Sequence, residues 1–285
     1  MIQKANSVFL FLCLLSFISC KPEFKEESFS SGRADLNRVV MIGGQYLSGW
    51  QHGAVSLDGQ KQSVAGVLAN QFQLAGAGSI SQPWMPAGKG IGWNPMVTDA
   101  VFISSYQLIQ GYNCKGEFGF KVLRDTLRGN QTDAYFNRTT SQPQVMGIPL
   151  ATTSDYFQVQ TGNSYSQGGN PYYHRIASNP GVSSIATDFQ ALNGSFVIGM
   201  PGMENIYGFA SRGGTGQAII PPADFRNHLT QFFMPYLTRG VKGLLVTIPD
   251  PATLPFYTTV PFDGLNLDSA KASIFNTVWN AYGDT

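Results

Sequence analysis

The sequence predicts an α/β fold built on a parallel sheet, and three observations lead there. Short apolar runs punctuated by glycine read as buried strands: Val39-Val40-Met41-Ile42 before Gly43-Gly44, Ser195-Phe196-Val197-Ile198 before Gly199, and Gly243-Leu244-Leu245-Val246-Thr247-Ile248. Between and after them, apolar residues recur every three or four positions, the spacing of a helix with one buried face. Strands and helices alternate, and strands this apolar belong to a sheet covered on both faces. No internal repeat is visible.

Taken in order, Asn37 to Ile42 is the first strand, and Val64, Leu68 and Phe72 form the face of a first helix. Residues 76–143 are rich in Gly, Pro, Ser, Gln and Asn with brief apolar runs such as Ala100 to Ile103, and read as an insertion of hairpins and loops. Ser178-Asn179-Pro180 opens a helix with Val182, Ile185, Ala186 and Phe189 inward, stopped by Asn193-Gly194. Pro221-Pro222 opens a stronger one, with Phe225, Leu229, Phe232, Phe233 and Tyr236 inward and Gly240 at its end. A last helix runs from a cap at Asp268 through Ala270, Ile274, Val278 and Ala281 to Gly283.

Of the 285 residues, 43% are hydrophobic and 12% charged, the balance of a globular rather than a disordered chain. A net charge of +1 gives no field to attract nucleic acid. Three cysteines make no disulfide framework: Cys13 and Cys20 fall at the amino terminus and Cys114 stands alone, read as a small buried side chain. Three histidines without paired Cys/His spacing argue against a zinc site, and nothing indicates another metal or a cofactor.

At the amino terminus, Lys4 precedes an apolar run over 8–18 that is too short to span a bilayer but suits a signal peptide. Ser19-Cys20 resembles the end of a bacterial lipobox, with Phe17 a loose fit at the position usually held by Leu. The resemblance implies cleavage after residue 19 and acylation of Cys20; an ordinary secretory signal ending near a Cys is the plainer alternative. Residues 20–36 then form a polar tether, and 37–285 the folded domain with its insertion. Acidic residues soon after Cys20 resemble the export signals of Bacteroidetes surface lipoproteins. The expected location is the outer membrane, lipid-anchored, facing periplasm or exterior.

Several motifs of the body carry a second resemblance. Met41-Ile42-Gly43-Gly44-Gln45-Tyr46-Leu47-Ser48-Gly49-Trp50 stands where SGNH (GDSL-type) hydrolases have a strand followed by G-D-S-L-T-A-G-Y. Gly147-Ile148-Pro149-Leu150-Ala151 is similar to G-V-P-G-A, and Gly202-Met203-Glu204-Asn205-Ile206-Tyr207-Gly208-Phe209-Ala210 to G-N-N-D-V-L-G-Y-A, continued by Gly213-Gly214. Asn170-Pro171-Tyr172-Tyr173, Ala177-Ser178-Asn179-Pro180, Thr247-Ile248-Pro249-Asp250 and the stretch over 255–261 resemble lipoproteins of this family. The likeness covers about 37–265. It implies a flavodoxin-like parallel sheet with helices on both faces, cut short at the carboxyl end relative to the family and leaving an open sheet edge.

The same resemblance locates what hydrolysis would need and finds it altered. Ester cleavage on this scaffold uses a serine nucleophile, a histidine base and an oxyanion hole made of the Ser amide, a Gly amide and an Asn side chain. Gln45 holds the nucleophile position, Gly44 replaces the neighbouring Asp, Leu150 replaces the oxyanion Gly and Glu204 the oxyanion Asn. The family's carboxyl-terminal D-x-x-H does not occur before Thr285. Losing the nucleophile alone costs about 10⁶ in rate, and one oxyanion donor about 10²–10³.

The expectation is an inactive hydrolase-like lipoprotein that serves as a binding or scaffold subunit, membrane-bound through Cys20 and partnered by protein at the outer membrane. Two alternatives stay open. One is an active esterase or lipase, for which Ser48 and His52 form a shifted fallback pair, although Ser48 also reads as a turn residue and His52 as a loop cap. The other is a carbohydrate-binding protein, for which Trp50, Trp84 and Trp93 are candidate stacking surfaces, or else a lid over the cleft. His174 and His228 read as surface or helix-face residues. Asp250 reads equally as a site residue or a turn, and Glu204 with Asp155 or Asp250 is a remote candidate for a carboxylate pair.

Overall fold

Four strands pair in parallel: β1 (Val39–Gly43), β2 (Val145–Gly147), β3 (Phe196–Met200) and β4 (Lys242–Leu245), in the order β4-β3-β1-β2. Val40 lies opposite Val197, Met41 opposite Val145, and Ile198 opposite Leu244. The structure, a computed structural model, describes residues 29–93, 102–112, 116–123, 126–127, 138–139, 141–211, 214, 218–254 and 268–283. Cys20, Cys114, Gly213 and the stretch over 255–261 lie outside these. The chain divides into residues 1–30 and 31–285, and the second unit is the one described below.

The chain is α/β, as expected. Among the described residues its helices are α1 (Gln45–Ser48), α2 (Val64–Leu74), α3 (Ile185–Ala191), α4 (Met203–Ala210), α5 (Pro222–Leu237) and α6 (Ser269–Gly283), with further single turns of helix at Leu57–Lys61 and Pro171–His174. Because side chains alternate along β1, its two faces meet different layers. Val40 and Ile42 join Met146, Ile148 and Val197 in a cluster with Phe189 of α3 and Phe232 and Tyr236 of α5. Val39 and Met41 join Val145, Phe196 and Ile198 against Ala65 and Ala69 of α2, with Val64, Leu68 and Phe72 at the margin. Helices therefore cover both faces of β1.

Two expectations are corrected. The helix expected from Ser178 starts seven residues later, at Ile185. Ser184 takes the cap: its Oγ accepts from the Thr187 amide while Thr187 Oγ1 accepts from the Ser184 amide, so both exposed N–H groups are satisfied there. Residues before it stay in turns, and Val182 is 66% exposed instead of inward. Strand β4, expected to be buried, has Leu244 and Leu245 more than half exposed. Among the described residues it is the outer strand, hydrogen-bonded to β3, and Ile274 and Phe275 of α6 are themselves exposed.

Between α2 and β2 the chain forms small antiparallel sheets. Residues 92–93 pair with 102–103, which pair with 126–127, and residues 107–112 pair with 118–123. Val55, Met85, Ile91, Phe102 and Tyr172 make a third cluster, flanked by Trp50 and Trp93. In the longer ribbon, directly opposed residues share a face, and Leu108, Tyr112, Phe118, Phe120 and Val122 all fall on one face and are exposed.

Phe232 sits among the rings of Tyr156, Phe189 and Phe233 and is 1% exposed. Phe232→Ala is expected to lower the unfolding free energy by about 3–5 kcal/mol. The check is a lower urea midpoint with an unchanged m-value.

Candidate functional site

In an open parallel sheet, loops leaving the carboxyl ends of adjacent strands form the crevice where sites gather. Here the loops leaving β1 and β3 meet, since Gly43 lies opposite Met200. After β1 the chain bends at Gly44 into the single turn α1; after β3 it bends at Gly202 into α4. Gln45 and Glu204 therefore face each other across the end of the sheet.

Their contact is direct. The Gln45 backbone N–H donates to Glu204 Oε1 at 2.7 Å. The carboxylate also occupies the space beside Gly44, where a Cβ would come 1.6 Å from Glu204 Oε1. Only glycine fits at position 44 with this glutamate opposite. Glu204 is 4% exposed, and among the described residues neither its Oε2 nor the buried Nε2 of Gln45 has a partner. Burial pushes the Glu204 carboxyl up from its ordinary 4.5 to about 7, against the lowering effect of the Gln45 and Glu204 amides.

Leu150 adopts φ 65°, the left-handed conformation a glycine takes freely. For a leucine it costs about 1–2 kcal/mol, so the backbone keeps a glycine's bend while carrying a bulky side chain. Ser48 is buried with its Oγ donating to the Gln45 carbonyl at 3.0 Å. His52 is exposed at φ 53° in the turn joining residues 50–51 to 54–55, and no hydrogen bond joins it to Ser48 among the described residues. The geometry brings Gln45, Ser48 and Glu204 together and turns His52 outward.

Sequence reasoning missed the residues that fix the walls. The Thr153 amide donates to Asn205 Oδ1 at 3.1 Å, and Thr153 Oγ1 lies 3.2 Å from His228 Nδ1, so His228 on α5 is linked to the residue beside Glu204. Asn170 donates through Nδ2 to the Pro149 carbonyl and accepts from the Tyr172 and Tyr173 amides. Buried Asp188 accepts from Tyr173 Oη, Ser183 Oγ and both the amide and hydroxyl of Ser178. Gln60 and Arg175 both donate to the Pro83 carbonyl, and Arg175 also to that of Trp84. Burial pulls the Arg175 guanidinium down to about 10. An N-cap signal at Asn170-Pro171 was visible in advance; the long-range partners carried no local pattern.

Of the remaining candidates, Asp250 accepts from the Ala252 amide and caps a short 3₁₀ turn, and Asp155 accepts from the Thr152 amide and hydroxyl. The His174 ring bonds the Gly162 carbonyl. Trp50 and Trp93 are half-buried against the third cluster, whereas Trp84 is 44% exposed. Among the described residues no group of three His, Cys, Asp or Glu side chains is placed to hold a metal, and no helix is long and apolar enough to cross a membrane.

Gly44→Ala is expected to destabilise the fold by about 3 kcal/mol, and by clearly less when Glu204 is also changed to Ala, a coupling that urea titrations of the double-mutant cycle measure. The raised carboxyl has a definite sign: its contribution to stability is full below pH 4.5 and is lost as pH climbs through about 7. Relative to Glu204→Gln, the unaltered protein should therefore lose about 3 kcal/mol between pH 4.5 and pH 8, read from urea midpoints at the two pH values.

Comparison with protein-family models, with curated proteins and with solved structures finds no match, so the function rests on the geometry of this site.

Proposed function

We propose that the chain is an outer-membrane lipoprotein, anchored through Cys20, whose SGNH-like body binds a partner or ligand and does not hydrolyse esters. The order β2-β1-β3-β4, read from the opposite edge, is that of the first four strands of the flavodoxin-like doubly wound sheet, which supports the finer fold assignment. The observation that carries the functional reading is the hydrogen bond from the Gln45 amide to Glu204 Oε1.

Acyl transfer on an SGNH scaffold requires the amide at the nucleophile position to point at a developing oxyanion. In this chain that amide already serves the protein's own carboxylate. An incoming oxyanion would have to displace that carboxyl group from the Gln45 amide. Gln45 offers a carboxamide where a hydroxyl is needed, and a base cannot activate it. The pieces agree: an amide already occupied by a carboxyl group, a missing nucleophile and a leucine at the position of the family's oxyanion Gly. A body of this kind keeps the crevice without the chemistry, which suits a subunit that holds something at the membrane.

The purified chain is expected to leave p-nitrophenyl acetate and butyrate at the buffer rate, and Gln45→Ser to leave them there as well, because serine without a base stays protonated. Turnover that disappears in Ser48→Ala would overturn the reading. Incorporation of labelled palmitate into the expressed protein, lost in Cys20→Ala, is the expected result for the anchor.

A further inference from the structure

On the flank of the cleft, beside Leu150, a pocket of about 220 Å³ opens toward solvent. Trp93 and Leu150 form its apolar side; Asp155, Gln158, Gln160 and Asn170 form its polar side. Asn170 is committed to the Pro149 carbonyl and to two amides, and so fixes the wall. Asp155 uses Oδ2 for Thr152, which leaves Oδ1 available. Gln158 and Gln160 are exposed, and their side-chain amides make no hydrogen bond among the described residues. Among the described residues no lysine or arginine lines the pocket.

We propose that this pocket binds a neutral sugar unit. A sugar presents hydroxyls that each donate and accept, beside C–H faces that are apolar. Two amides supply donors and acceptors together, and a carboxylate oxygen supplies a strong acceptor. The indole of Trp93 provides an apolar surface for the C–H face. Other ligand classes fit worse. A nucleotide or a sulfated glycan would bring an anion to Asp155, and no described lining residue carries a compensating cation. A purely apolar ligand would strip water from two amides and return no hydrogen bonds. Leu150 contributes here through the left-handed bend at its α-carbon, which sets its side chain on the pocket's edge.

The proposal names a ligand class for the binding function argued above, and it rests on that reading only in taking binding, not hydrolysis, as the activity. The test uses the full processed chain with glucose, galactose, mannose, N-acetylglucosamine and their oligomers of two to six units as probes. Saturation-transfer NMR identifies binders, and calorimetry gives the dissociation constant of the tightest. The expected result is saturable binding of at least one neutral saccharide, weakened about tenfold by Trp93→Ala and by the double change Gln158→Ala with Gln160→Ala, and unchanged by Trp84→Ala. Trp93 also packs on the Val55, Ile91 and Phe102 cluster. If its variant fails to fold, the exposed glutamine pair decides. No binding of any probe, or binding indifferent to the glutamine pair, overturns the proposal. Ester turnover by the same preparation would refute the reading of Gln45 and leave the sugar pocket standing, so the two failures are distinct.

Discussion

Glu204 reaches from the first turn of α4 to the bend after β1, and its carboxylate takes both the Gln45 amide and the space beside Gly44. That contact determines what its neighbours can be. With the carboxylate in place, position 44 admits no side chain, and the amide at 45 has no capacity for a ligand. Residues 44, 45 and 204 therefore form one structural arrangement and not three independent features. Its cost is visible in the same place. A carboxyl group away from water with one oxygen unpartnered favours its protonated form, which is why the titration moves toward neutrality.

The polar groups around the cleft follow the opposite pattern. Asp188 is as buried as Glu204 yet receives four hydrogen bonds, and they draw the segment over 173–183 onto α3. Arg175 through Nη1 and Nη2, and Gln60 through Nε2, donate to backbone carbonyls at 83 and 84, and the Met85 amide donates back to Gln60. These ties run from side chain to backbone, so they fix the path of loops that carry little regular structure of their own. A rigid rim around a crevice with one under-satisfied carboxyl group at its floor is a frame suited to holding a shape.

How legible this was depended on whether the signal was local. Strands β1 and β3 were evident because Val39 to Ile42 and Phe196 to Ile198 are continuous apolar runs, and α5 because its aromatic residues repeat at helical spacing. Strand β2 spans only Val145–Gly147, too short for any period to register. The start of α3 was misplaced because Asn179-Pro180 imitates a helix opening, while the reciprocal Ser184–Thr187 cap decides the matter. The exposure of β4 depends on what packs against it, which no property of Leu244 or Leu245 announces. At the site, the identities of Gln45, Leu150 and Glu204 could be weighed from sequence. That a carboxylate would sit on the Gln45 amide could not, because 159 residues separate the two.

The ribbon formed by residues 107–112 and 118–123 has a thermodynamic consequence of its own. Its outward face keeps Leu108, Tyr112, Phe118, Phe120 and Val122 in contact with water in the native state. Apolar area contributes to the heat capacity of unfolding, about 0.45 cal/mol/K per Å², only if unfolding is what exposes it. These side chains are wet before and after, so they add little to that increment. The curve of stability against temperature is correspondingly broader than one drawn from chain length alone, and it sharpens if a surface comes to cover the ribbon.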